Sequence, residues 1–121
     1  KEKQSIKFHF DMHHGYGNLD RAIDLLGEDD KEDFRNFVNE RTHFNPHIMF
    51  ISKPKIVDRW FSKLFQWLEN CESIFGFKDL SGYDTQRLYA YLAERYLSYW
   101  FNKNYKVLNW PWFFFEEEKL Y

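Results

Sequence analysis

The clearest pattern along the chain is a set of apolar residues spaced by three and four: Val57, Trp60, Phe61, Leu64, Leu68, Cys71 and Phe75. That spacing lines one face of a helix, and it predicts a long helix opened by Pro54 and stopped at Gly76. A second periodic stretch, residues 83–100 (YDTQRLYAYLAERYLSYW), predicts another long helix with Leu88, Leu92, Tyr96 and Tyr99 on an inner side. Residues 81–84 offer its capping side chains. Near the start, Ile6, Phe8 and Phe10 alternate with Lys7, His9 and Asp11, the period-two pattern of a half-buried strand, ended by Gly15 and Gly17. Asn18 is placed to cap a short helix with Leu19, Ala22, Ile23 and Leu26 inside and Gly27 as its stop. Asp29 and Asp30 open the next helix. Glu32 and Asp33 fall in its first turn, where the dipole favours negative charge, and Phe34, Phe37 and Val38 form its inner stripe.

The remaining segments read as extended. Residues 47–52 carry a short apolar run between breakers and predict a buried strand. Residues 106–115 gather Val107, Leu108, Trp110, Trp112 and three Phe around Pro111, which restricts them to an edge strand or an extended arm. The acidic residues 116–118 read as a solvated run. No internal repeat or low-complexity linker divides the chain. The expected fold class is therefore α/β but predominantly helical: one domain or subdomain over residues 1–121, with two long helices, two short helices and a few short strands.

Charge and composition narrow the function classes. A net charge of -2 over 121 residues supplies no basic field for nucleic acid. The single cysteine, Cys71, rules out an internal disulfide and fits a reducing compartment. No apolar run approaches the ~20 residues of a membrane span, so no transmembrane segment is expected. Aromatic residues reach 22%, more than a core of this size draws on, which points to rings left for stacking on sugars or docking against another surface.

Read as one helix, residues 83–100 bring Asp84, Arg87, Tyr91, Glu94 and Arg95 close to one stripe. Guanidinium forks donate paired hydrogen bonds to phosphate, and a carboxylate can take a hydroxyl proton. The same stripe also reads as an ion-pair network that stiffens a core. His9, Asp11 and His13 share one side of the predicted strand, a spacing suited to a divalent metal, and His43 and His47 stand four apart beside Pro46. Hydrogen bonding to structure or substrate is the favoured role for these imidazoles, and no metal ligand is assigned. Cys71 lies on the apolar stripe of its helix, where a thiol is inert. Phosphate loop, nucleophile elbow and dinucleotide fingerprint are all missing, which removes the protease, kinase and dehydrogenase readings.

Met49, Phe50 and Ile51 as a strand, then Trp60, Leu64 and Phe65, then Arg87, Glu94 and Arg95, follow one another in a telling order. With the segment around His13 and His14, this order resembles the C-terminal part of a bacterial glycosyltransferase family of capsular and exopolysaccharide synthesis, much of it described only as a domain of unknown function. The resemblance implies a GT-A-like enzyme of capsule, exopolysaccharide or lipopolysaccharide biosynthesis. Such an enzyme moves a sugar from a nucleotide-sugar donor to a surface polysaccharide or lipid-linked saccharide acceptor. It further implies a cytoplasmic protein, held at the inner membrane face through the rest of the parent protein or through partners. The family's N-terminal part has no counterpart here, so the chain reads as a fragment, inactive alone, that docks to the rest of its parent. Any Mn or Mg cofactor is expected in that other part. Within this chain the resemblance makes Glu94 or Asp84 the candidate base. Arg87, Arg95, Tyr91, His13, His14, Asn45 and His47 become substrate contacts. Arg87 and Glu94 would stand about 10 Å apart along a continuous helix and bracket one sugar unit. The family's usual Asn before Met-Phe is Ile48 here, with Asn45 upstream. The competing expectation is a non-catalytic carbohydrate-binding or subunit-interaction module built on the aromatic surface.

Overall fold

The computed structural model describes residues 3–111, and the regular structure among them is helical throughout. The helices are α1 (Ile6–His14), α2 (Asn18–Ile23), α3 (Glu28–Glu40), α4 (Pro54–Phe75), α5 (Tyr83–Gln86) and α6 (Leu88–Asn104). The centre of the fold is α6. Residues 95–100 of this helix are all buried, a run longer than one turn, so no side of it faces water there. Helices α1, α3 and α4 supply the cover.

Each covering helix contributes a stripe. From α4 come Trp60, Leu64, Trp67, Cys71 and Phe75, bounded as expected by Pro54 in the first turn and by Gly76 at φ 58°. Trp67 was not among the expected inner residues. Its indole N–H donates to the Ala22 carbonyl at 2.7 Å, tying α4 to the end of α2. Phe34 and Val38 come from α3. The Phe34 ring lies 4.9 Å from Tyr99 in a stacked arrangement and meets Tyr96 and Trp67 edge-on, so part of the aromatic excess forms a core ring cluster. Gly27 caps the start of α3 where a stop for α2 was expected, and the first turn carries Glu28, Asp29 and Asp30.

The α/β expectation is corrected: among the described residues there is no strand. Residues 6–14 form a helix because their buried members, Ile6, Phe10 and His14, recur every four, while Phe8, required inside by the alternating pattern, is 49% exposed. Ser5 caps this helix by accepting from the Phe8 N–H, and Lys7 pairs with Asp11 one turn on. Residues 47–52 have no neighbouring strand to pair with among the described residues. They form a loop in which the half-buried Phe50 packs against Trp60 and Phe101. The helix expected over residues 83–100 breaks at Arg87, which ends α5 and precedes α6 with φ -95° and ψ 20°. Residues 105–111 carry no regular structure, and the arm expected to continue through Trp112 and residues 113–118 lies outside the described residues. Among the described residues no helix is long and apolar enough to cross a membrane.

Candidate functional site

The end of α1 meets the first turns of α6 at His14. Gly15 lets the chain turn there with φ 103°, and a side chain at that position would strike the Asn18 amide. That amide, expected to cap α2, instead donates to the His14 carbonyl at 3.1 Å. The imidazole of His14 stacks on Tyr91, with ring centres 3.7 Å apart. Its Nδ1 stands 3.0 Å from the Asp84 carbonyl oxygen. A carbonyl only accepts, so Nδ1 carries the proton and Nε2 is the acceptor of the neutral ring. Burial lowers the pKa of His14, and the nearby Arg95 charge lowers it further, against the opposing pull of the Asp84 carbonyl.

Beneath this stack lies Arg95, 2% exposed. Its guanidinium is caged by rings: the carbon centre is 4.3 Å from Phe44, 5.1 Å from Phe10 and 6.0 Å from Tyr91. Ring faces attract a cation without the directional demands of a carboxylate. Nη1 donates to the Tyr91 carbonyl at 3.2 Å and to the Glu94 carboxylate at 3.4 Å, whereas Nε has no partner among the described residues. Burial pulls the pKa of Arg95 down to about 10, and Glu94 partly offsets this, so the group stays charged at neutral pH. Glu94 is half-buried. One of its oxygens faces Arg95 and the other is open to a further donor.

The structure therefore joins four of the expected site residues, His14, Tyr91, Glu94 and Arg95. Asp84 enters through its backbone, while its carboxylate is exposed. His13 stands at the rim, with its ring centre 6.2 Å from His14 and 4.4 Å from His9. Arg87 does not join them: as the cap of α6 its carbonyl accepts from the Tyr91 N–H at 3.1 Å, and its guanidinium is held by the Tyr83 hydroxyl at 2.6 Å. Asn45 lies beyond Phe44, donating its N–H to Ser98 Oγ and its amide to Asn109, both at 2.9 Å. His47 is exposed in the loop and takes a left-handed backbone, φ 68°.

Three contributors escaped the sequence reading. Phe10 was legible in principle, four residues before His14 on what is a helix. His9, the ring partner of His13, had been placed on a strand with Asp11. Phe44 carries no sequence signal, because only the return of the loop onto α6 brings it to Arg95. The strand geometry that aligned His9, Asp11 and His13 is gone, since Asp11 now binds Lys7 and the Gly17 N–H. Among the described residues no group of three His, Cys, Asp or Glu side chains is placed to hold a metal ion.

Fold and site together define a helical domain organised around a guanidinium caged by aromatic rings, with a carboxylate and a neutral imidazole at its edge. The chain belongs to the family described as Domain of unknown function (DUF4422), which it matches over residues 1–105. No curated protein and no solved structure matches it.

Proposed function

We propose that this chain is the acceptor-side part of a glycosyltransferase. The enzyme moves a sugar from a nucleotide-sugar donor to a surface polysaccharide or lipid-linked saccharide acceptor in capsule, exopolysaccharide or lipopolysaccharide biosynthesis. The observation that supports this reading best is Glu94: a half-buried carboxylate, oriented by a buried guanidinium, with one oxygen open. In the proposed reaction Glu94 takes the proton of an acceptor hydroxyl as that oxygen bonds to the donor's anomeric carbon, and the nucleoside diphosphate leaves with the bonding electron pair. Arg95 fixes the carboxylate rather than touching phosphate, because the rings around it close it off. His13 and His14 are the hydroxyl contacts of this reading. The ordered motifs from Met49 to Arg95 support a GT-A-like setting, with the donor half, and any divalent cation it uses, in the rest of the parent protein. The residues described here do not fit a metal, and no step is routed through one. The proposed location is the cytoplasmic face of the membrane.

The test is nucleotide-sugar turnover by the full-length protein, wild type beside Glu94→Gln, with folding matched by circular dichroism. A fall of about 10²–10⁴ in rate is expected for loss of a general base. Unchanged turnover in a folded Glu94→Gln protein makes α6 scaffold and overturns the assignment. The 121-residue chain alone is expected to be inactive. A second reading, a subunit-interaction module, is favoured by the exposed apolar side chains of Ile51, Phe65, Ile74 and Phe77, and is supported instead if the full-length protein turns over no nucleotide-sugar.

A further inference from the structure

Beside Phe44, whose ring also meets Arg95, a cleft of about 490 Å³ opens between α3 and α6, bordered by the chain that follows α3. Its size is that of a small-ligand pocket. Asn36, Phe37 and Glu40 line it from α3, Asn102 from α6, and Phe44 and Asn45 from that bordering chain. We propose that this cleft binds an uncharged saccharide.

Sugar hydroxyls both donate and accept, and so do carboxamides, whereas a carboxylate accepts only. The exposed side chains of Asn36 and Glu40 have no hydrogen-bonding or ionic partner among the described residues. Asn102 uses its amide N–H on the Ser98 carbonyl, at 2.6 Å, and keeps its oxygen as an acceptor. The half-buried rings of Phe37 and Phe44 offer apolar faces of the kind on which the C–H side of a pyranose packs. The bordering chain is held in place, since Asn45 is bonded both to buried Ser98 and to Asn109. Anionic ligands suit the cleft poorly. Arg41 and Lys103 border it, but Asp33 and Glu40 balance them, and Lys103 is already held by Asp30 and Asp33 at 3.1 and 3.0 Å. Naming this cleft the acceptor subsite rests on the transferase reading; saccharide binding does not.

Amide-resolved NMR of the full 121-residue chain tests it, with maltotriose, cellotriose and triacetylchitotriose as neutral probes and trigalacturonic acid and UDP as charged ones. A neutral trisaccharide is expected to shift Asn36, Phe37, Phe44 and Asn102, and Asn36→Ala and Phe37→Leu are each expected to weaken binding about fivefold. Both variants are confirmed folded by their unperturbed distant resonances. The proposal is overturned if no neutral probe moves these residues, or if only the charged probes do. Shifts in the cleft without nucleotide-sugar turnover by the full-length protein support saccharide binding and remove the acceptor assignment. Turnover with no such shifts keeps the transferase and overturns the cleft.

Discussion

Arg95 and Lys103 lie roughly two turns apart on α6 and are handled in opposite ways. Arg95 is enclosed by rings, meets one carboxylate at 3.4 Å and has its pKa pulled down by burial. Lys103 sits at the helix end against Asp30, Asp33 and the Asp29 carbonyl. Partial burial would lower its pKa, but the hydrogen bonds it donates to Asp33, Asp30 and Tyr99 outweigh it and the net shift is upward. The end with the carboxylates is a fastening: Asp30 also accepts the Tyr96 and Tyr99 hydroxyls at 3.2 Å, and so joins α3 to α6. The ringed cation has no comparable return in pairing. Desolvating a charge costs several kcal/mol, and a fold that needed only stability is served as well by an apolar side chain there. Under the proposed function, Arg95 is there to position Glu94.

Replacing Arg95 is the largest perturbation of this contrast. Arg95→Ala, which leaves a core void and strips Glu94 of its cation, is expected to cost about 3 kcal/mol in urea unfolding. Arg95→Met, which refills the void without charge, is expected to stay within about 1 kcal/mol of wild type. Equal damage from both would mean that the guanidinium charge is itself structural, and the contrast with Lys103 would collapse. At the other end, Asp30→Ala orphans the Tyr96 hydroxyl, leaves Tyr99 only the Asp30 backbone carbonyl and is expected to cost about 2 kcal/mol, against about 0.5 kcal/mol for half-exposed Lys103→Ala. If Lys103→Ala costs as much as Asp30→Ala, the ion pair and not the hydroxyl contacts joins the helices.

The smallest effect is on pH. The folded pKa of His14 lies below its ordinary value near 6.5 because the ring is buried. The unfolded chain therefore takes up a proton first as pH falls, and stability declines from about pH 6.5 down through the folded pKa. His9 shifts in the same direction, through burial and then the charges of His13 and Arg95. Unfolding midpoints measured between pH 7.5 and 5 should fall for wild type and fall less steeply in His14→Gln, which keeps the contribution of His9. An unchanged slope in that variant would place the titrating group elsewhere.

The comparison also bears on how far the chain could be read unaided. The seven-residue stripe of α4 and the inner face of α6 were legible because long helices repeat their signal many times. Residues 5–12 misled because a short helix offers only two turns, and Phe8 and Phe10 mimic alternation while His14 completes the helical period only if a buried imidazole is allowed as apolar. The break at Arg87 had no proline or glycine to announce it. Glu94, Arg95 and Tyr91 stood out by their chemistry and His14 only through the family resemblance, but Phe44 and the carbonyl of Asp84 join them only through tertiary folding. Loop residues 47–52 had the composition of a strand but no neighbouring strand among the described residues, and a lone apolar run does not make a sheet.

Cys71, fully buried on the inner stripe of α4, has its thiol pushed up to about 12 by burial. In the closed molecule it is both shielded and protonated, so an alkylating reagent reaches it only when α4 lifts away. The protein thus carries its own clock: the rate at which this one sulfur is labelled under native conditions counts the openings of its longest helix.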